Sequence, residues 1–240
     1  MKHFIWITLS TILIAGCQQE TLPKLSNGEC ILELQVSHSN KPVSMTRAVD
    51  SDLAVKILDA EGKLYKIYSP GTVPTKIVLE PGTFEILAYT DNQDTWTQAN
   101  GGKGEPCYYT SKQIKMEYDE IKRISISVPM VNYGVSLKLP EHFYYLFPSH
   151  SFNLTSGNRS VATQENEMAF FTPDEVGFAY ALQATNTDGV THSHSAIQFT
   201  GVESGKHYVV RYGYALDANS GNVDIEIYDD MQMEDTDVEI

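Results

Sequence analysis

The thiol of Cys17 follows Ile14-Ala15-Gly16, and the chain before it runs from a charge at Lys2 through a nearly unbroken apolar stretch over residues 4–15. That stretch is too short to cross a bilayer core as a helix, which takes about 20 residues, and reads as the apolar part of a secretory signal peptide. Small residues at 15 and 16 suit a peptidase pocket, and a thiol is a nucleophile able to take a diacylglycerol as a thioether. The expectation is a signal peptide over 1–16, cleavage before Cys17 and a lipid on that cysteine. Buried acyl methylenes contribute about 0.8 kcal/mol each, so two or three chains anchor stably where one does not. The plainer alternative is a buried segment that ends by chance at a cysteine.

Other chemistry-bearing residues are sparser. Cys30 and Cys107 could form a disulfide in an exported chain or stand as two independent thiols, since sequence does not give their separation. His192 and His194 alternate and would share a strand face, but no third ligand lies nearby, so no metal site is expected and polar strand-edge histidines are the simpler reading. Glu165, Glu167, Asp174 and Glu175 could supply the paired carboxylates of a glycosidase, or be solvated strand ends. Asp217, Asn219 and Asp224 surround Gly221, which stands one place early for a calcium loop, so a hairpin turn explains them better. No nucleophile elbow, phosphate-cradling loop or His-Glu-x-x-His is present, and neither enzymatic activity nor a cofactor is expected. Trp96, Tyr108, Tyr109, Tyr144 and Tyr145 could form a sugar or protein contact surface, or belong to the core.

The elements that must hold these residues are strands. Of the 240 residues, 31 are acidic and 17 basic, a formal net charge of −14, which repels nucleic acid and leaves membrane attachment to the lipid alone. Fourteen tyrosines, 16 glycines and frequent Val, Ile and Thr favour short strands and tight turns. Residues 18–27 read as a flexible tether, after which Cys30, Leu32, Leu34 and Val36 fall on one face of a first strand. Further strands are expected at 53–59, 63–69, 75–79, 83–89 and 122–129, with turns at Ala60-Glu61-Gly62 and Glu80-Pro81-Gly82, where Gly82 would supply a positive φ. The polar segment 91–110 reads as a long loop of the kind that often carries binding. After a boundary at Pro129 and Asn132, strands are expected near 133–139, 150–156, 167–172, 178–187, 195–202, 206–216 and 222–228, and Tyr208, Val210, Tyr212 and Tyr214 share a face. An acidic tail from Met231 reads as a frayed end. The organisation expected is all-β: a lipidated tether at 17–27, a β-sandwich at 28–130 and a second at 131–240.

These residues carry a resemblance. The Cys17 motif, then Thr46-Arg47-Ala48, then Val55, Ile57, Asp59 and Gly62 in a strand and turn, resemble the fimbrillin-like lipoproteins of Bacteroidales. Leu79-Glu80-Pro81-Gly82-Thr83-Phe84-Glu85-Ile86-Leu87-Ala88-Tyr89 resembles the hairpin of their N-terminal domain, and Pro129-Met130-Val131-Asn132-Tyr133-Gly134-Val135 resembles the crossing into their second. The resemblance implies two tandem transthyretin-like, Greek-key sandwiches and a structural or adhesive subunit, or an anchor, of a fimbria (a type V pilus). It also gives Arg47 a meaning: in polymerising members an arginine-specific protease removes the N-terminal segment with its first strand, and a neighbouring subunit's strand fills the groove. The partners implied are other fimbrial subunits by strand exchange and a membrane through Cys17, and Gln18-Gln19-Glu20 resembles the signal that sends such lipoproteins to the cell-surface side of the outer membrane. The competing reading is a surface lipoprotein that never polymerises and binds glycan or protein through 91–110.

Overall fold

The computed structural model describes residues 28–39, 52–216 and 225–234. Fifteen strands run β1 Cys30–His38, β2 Leu53–Leu58, β3 Leu64–Tyr68, β4 Lys76–Leu79, β5 Gly82–Thr90, β6 Tyr109–Met116, β7 Ile121–Val128, β8 Tyr133–Lys138, β9 Ser149–Ser156, β10 Arg159–Thr163, β11 Met168–Phe171, β12 Phe178–Thr185, β13 Thr191–Phe199, β14 His207–Leu216 and β15 Ile225–Glu234. Among the described residues helix is confined to short turns, including Trp96–Gln98 and Phe143–Leu146. The expected all-β class is the one observed.

The strands form four sheets, ordered β4-β1-β7, β3-β2-β5-β6, β11-β8-β14-β15 and β10-β9-β12-β13. Adding seven to each strand number of the first two sheets generates the last two, with β15 left over. The pairing senses repeat as well: β1 lies antiparallel to β4 and parallel to β7, and β8 lies antiparallel to β11 and parallel to β14. The chain thus repeats a seven-strand topology without a recognisable sequence repeat.

Alternation explains the two cores. Leu32, Leu34, Val55, Ile57, Ile86, Ile126 and Val128 meet in the first core, between the first two sheets. Tyr133, Val135, Phe152, Leu154, Leu182, Tyr208, Val210 and Tyr212 meet in the second, so the expected face of Tyr208, Val210 and Tyr212 is the buried one. Each fully buried side chain of this size contributes roughly 1.5–3 kcal/mol, which makes the alternation itself the main determinant of which face turns inward.

Five expectations differ from the structure. β6 falls in a region expected as loop and inter-strand sequence, because it is an edge strand in which only Ile114 and Met116 are buried, so alternation marks only its last half. β10 lies outside the expected strands for the same reason, burying only Val161 and Thr163. β4 and β5 are not a hairpin: β4 pairs with β1 and β5 with β2 and β6, so Glu80-Pro81 carries the chain from one sheet to the other. Gly82 already belongs to β5 and has no left-handed φ. Finally, the start of the acidic tail is not frayed, since β15 pairs with β14 through to Glu234. The expected turn at 60–62 is present, with Gly62 at φ 77° and Asp59 accepting the N–H groups of Glu61 and Lys63.

Candidate functional site

The strand on which assembly by exchange would depend is β1. Eight registered pairs join it to β7, from Ile31 with Ile121 to His38 with Val128, and four join it to β4. It is therefore a central strand, hydrogen-bonded on both sides, and it contributes Cys30, Ile31, Leu32 and Leu34 as buried side chains. Glu33 and Gln35 alternate with these, and Glu33 forms an ion pair with the exposed Arg123 of β7. In sequence, residues 39–52 alone connect this strand to β2. Arg47 lies in that connection and Cys17 lies upstream of β1, and both fall outside the described residues, as do Asp217, Asn219 and Asp224.

Cys30 and Cys107 are not joined; both are free, buried thiols. The register gives the reason. Cys30 stands at the Ile121 end of the β1–β7 pairing, and its Sγ donates to the Glu117 carbonyl at 2.8 Å. Cys107 lies beyond the other end, its carbonyl accepting from Val131 N–H at 2.7 Å. Eight paired residues separate the two, about 25 Å of strand, against the ~4.4–6.8 Å between Cα atoms that a disulfide tolerates. Burial pushes the pKa of both thiols up.

The loop after β5 is no free-standing binding loop. Asn92 Nδ2 donates to Glu105 Oε1 and to the Pro106 carbonyl, and Gln93 donates to the Tyr108 carbonyl, so the loop is closed on itself. Its far side is held by Arg159 at the start of β10. That guanidinium donates to the carbonyls of Thr97, Gly102 and Phe170, and lies over the rings of Trp96 and Phe171 at 5.5 and 5.1 Å. Gly104 suits this contact, because its φ of 87° favours glycine and a Cβ there would sit 3.1 Å from Arg159 Nη2 and 3.2 Å from Trp96, tight enough to push both aside. Lys103 adds an ion pair to Glu167 at 3.2 Å, and its carbonyl accepts from Phe170 N–H. Asn132 completes the junction, accepting from Cys107 N–H and donating to the Glu105 carbonyl. Sequence reasoning does not find Arg159, since a lone arginine opening a short polar strand carries no pattern.

The remaining candidates are structural in their contacts. Glu165 accepts from Leu139 N–H and the Tyr144 hydroxyl, Glu167 from Gln164 N–H, and Asp174 from the N–H groups of Val176 and Gly177. Glu175 is exposed. Glu165 and Glu167 border a cavity of ≈ 290 Å³ with Lys138, His207 and Arg211. His192 and His194 do share a face, but it is the inner one: register places His150, Ala184 and His192 in one row and Phe152, Leu182 and His194 in the next. Their rings pack on aromatics, His192 on Phe147 at 5.7 Å and His194 on Tyr212 at 5.6 Å. Both stand half-buried on β13, the edge strand of its sheet. Of the aromatics, Tyr108 is core, Trp96 stacks under Arg159, and Tyr109, Tyr144 and Tyr145 are exposed.

Comparison with solved structures finds the same fold in a Bacteroides eggerthii protein assigned to cell adhesion, with a TM-score of 0.51 at 10% identity over 86% of this chain and 95% of that one. Two others align at lower scores. One is a Bacteroides uniformis protein also assigned to cell adhesion, at 0.47 and 9% identity over 86% and 96%. The other is the fimbrial anchor protein Mfa2 of Porphyromonas gingivalis, at 0.43 and 9% identity over 86% and 97%. The Bacteroides eggerthii structure thus shares the all-β fold of this chain. No curated protein matches the sequence. A family profile does match, over residues 27–240, and the chain accordingly belongs to the family described as domain of unknown function DUF4493.

Proposed function

We propose that this chain is a cell-surface structural or adhesive subunit, or an anchor, of a fimbria, and not an enzyme. In this reading residues 1–16 are a signal peptide, Cys17 carries the lipid that holds the protein to the outer membrane, and 28–130 and 131–240 are transthyretin-like domains. Assembly proceeds by β-strand exchange at the place of β1.

One observation carries the reading. β1 is a central strand tied to β2 by a single connection that contains Arg47. Cleavage there would leave it held by pairing and by four buried side chains alone, a contribution on the order of 6–12 kcal/mol. Its departure would expose unpaired edges of both β4 and β7 above an open apolar core, and a strand from another subunit would restore main-chain hydrogen bonds and pocket occupancy together. The competing loop reading is weakened by the engagement of 91–107 with Arg159.

The test is incubation of the folded chain with an arginine-specific protease. A cut after Arg47, release of β1 and the appearance of SDS-resistant oligomers are expected. An intact monomer under conditions that cleave exposed arginines, or cleavage that yields only unfolded protein, would overturn strand exchange.

A further inference from the structure

The connection between β8 and β9 has a construction that neither the core nor strand exchange requires. Phe143 and Phe147, one helical turn apart and 0% and 1% exposed, drive the Phe143–Leu146 turn into the second core, with their rings 5.0 Å apart. Anchors at i and i+4 lie on one face, Leu146 at i+3 packs beside them, and the residues at i+1 and i+2 point away from it. These are Tyr144 and Tyr145, 51% and 82% exposed. Burying a tyrosine ring is favourable, so two adjacent exposed rings on a fixed turn stand against the general tendency.

The turn is held rigid from both ends. Glu165 receives Leu139 N–H at 3.2 Å on one oxygen and the Tyr144 hydroxyl at 3.1 Å on the other, stapling the segment to the loop between β10 and β11. His150 stacks edge-on against both Phe143 and Tyr144 at 5.4 Å. His142, which opens the turn, sits at φ 63°, a left-handed conformation that costs a non-glycine residue energy and persists only where the surroundings impose it. Tyr145 N–H and Leu146 N–H both donate to the His142 carbonyl, so this conformation sets the backbone of the turn that carries both tyrosines.

We infer that Tyr144 and Tyr145 form a binding site for a neutral saccharide. A fixed aromatic ring matches the C–H face of a pyranose at little conformational cost, while the Glu165 carboxylate and the Tyr144 hydroxyl are hydrogen-bonding groups suited to sugar hydroxyls at its edge. Two rings are far too little area for a stable protein partner, which needs about 800 Å² per side. Charge sets the class of sugar. Residues 131–240 hold sixteen acidic and four basic side chains, so acidic glycans are repelled and uncharged ones are not. The site goes beyond the fimbrial proposal and is independent of Arg47 and of β1.

The experiment is retention of the full chain on immobilised neutral glycans (glucans, galactans and mannans), with sialylated and sulfated glycans alongside. Binding to at least one neutral glycan is expected, little altered by salt, with affinity lowered about tenfold or more in Tyr145→Ala and less in Tyr144→Phe. Tyr118→Ala, a change at a 76% exposed ring of the β6–β7 turn, should bind as the parent does. Circular dichroism and the melting temperature of each variant separate lost binding from lost fold. Absence of binding to every neutral glycan, equal binding by Tyr145→Ala, or preference for the acidic glycans would each overturn the inference.

Discussion

Replacing Arg159 by alanine tests whether the loop after β5 is structural. The side chain donates to three carbonyls, those of Thr97, Gly102 and Phe170, and lies over two aromatic rings. A hydrogen bond from a charged donor nets about 1.5–3 kcal/mol when buried, and a cation over a ring about 0.5–1 at an open site. Arg159 is only half-buried, so water can reach part of what it leaves, and the discounted loss is about 2–4 kcal/mol. For a chain of this size that lowers the melting temperature by about 5–12 °C. Burial pulls the guanidinium pKa down, but from so high a start that the group stays charged at neutral pH. The assay is thermal and urea unfolding of the chain without residues 1–16, where Trp96 is the one tryptophan and its emission reports on the contact directly. Arg159→Ala should shift that emission in the native state, and Arg159→Lys should recover less than half of the stability, because an ammonium cannot hold three divergent acceptors in one plane. An unchanged melting temperature with unchanged Trp96 emission would refute the reasoning, and full rescue by lysine would show that charge alone suffices.

Gly177→Ala should destabilise by at least about 3 kcal/mol in urea unfolding, since φ is 71° and a Cβ would lie 2.0 Å from the Phe199 carbonyl. Asn132→Ala leaves Cys107 N–H and the Glu105 carbonyl without their partner and should cost about 2–3 kcal/mol in the same assay. Cys30 and Cys107 should both be alkylated without prior reduction in the unfolded protein and react slowly in the native one, as mass spectrometry will show. Stability should fall at both pH extremes. Burial pushes the hydroxyls of Tyr108 and Tyr133 up to about 12, so the unfolded chain ionises first and stability is lost as pH rises from about 10 towards 12. Burial holds the His150 imidazole below its ordinary value, so its contribution is present above about pH 6.5 and lost as pH falls below it; His150→Leu should flatten that acid limb of the urea midpoint against pH.

How legible an element is in the sequence depends on how many of its residues are buried. β1, β2, β5, β8 and β14 lie inside their sheets and bury apolar residues over much of their length, so their inner faces are readable from Leu32 to Tyr212. β6 and β10 are edge strands with half a pattern each, and half a pattern does not mark a strand. The proline-glycine turn at 80–82 is visible but not its consequence, because a turn residue does not say whether the next strand stays in the same sheet or crosses to the other. Alternation places His192 and His194 on one face, yet which face depends on the register with Ala184 and Leu182, a non-local fact. The Arg159 contact is harder still, since its acceptors are backbone carbonyls of residues 97, 102 and 170 and carry no sequence signature.

The repeated topology shows why exchange at β1 need not separate the two halves. β4 and β11 occupy equivalent places, but β11 is apolar on both faces. Ala169 and Phe171 enter the second core, while Phe170 belongs to the first and Met168 packs against it. The second half therefore donates a side chain to the core that β1 helps to close, and Phe170 N–H binds the Lys103 carbonyl beside it. Arg159, Lys103–Glu167 and Asn132 reinforce this junction without touching β1, whose hydrogen bonds run to β4 and β7. A strand could leave that groove and another enter it while the junction holds, because the hydrogen bonds that Arg159, Lys103 and Asn132 make across the junction are not among the pairs that join β1 to β4 and β7.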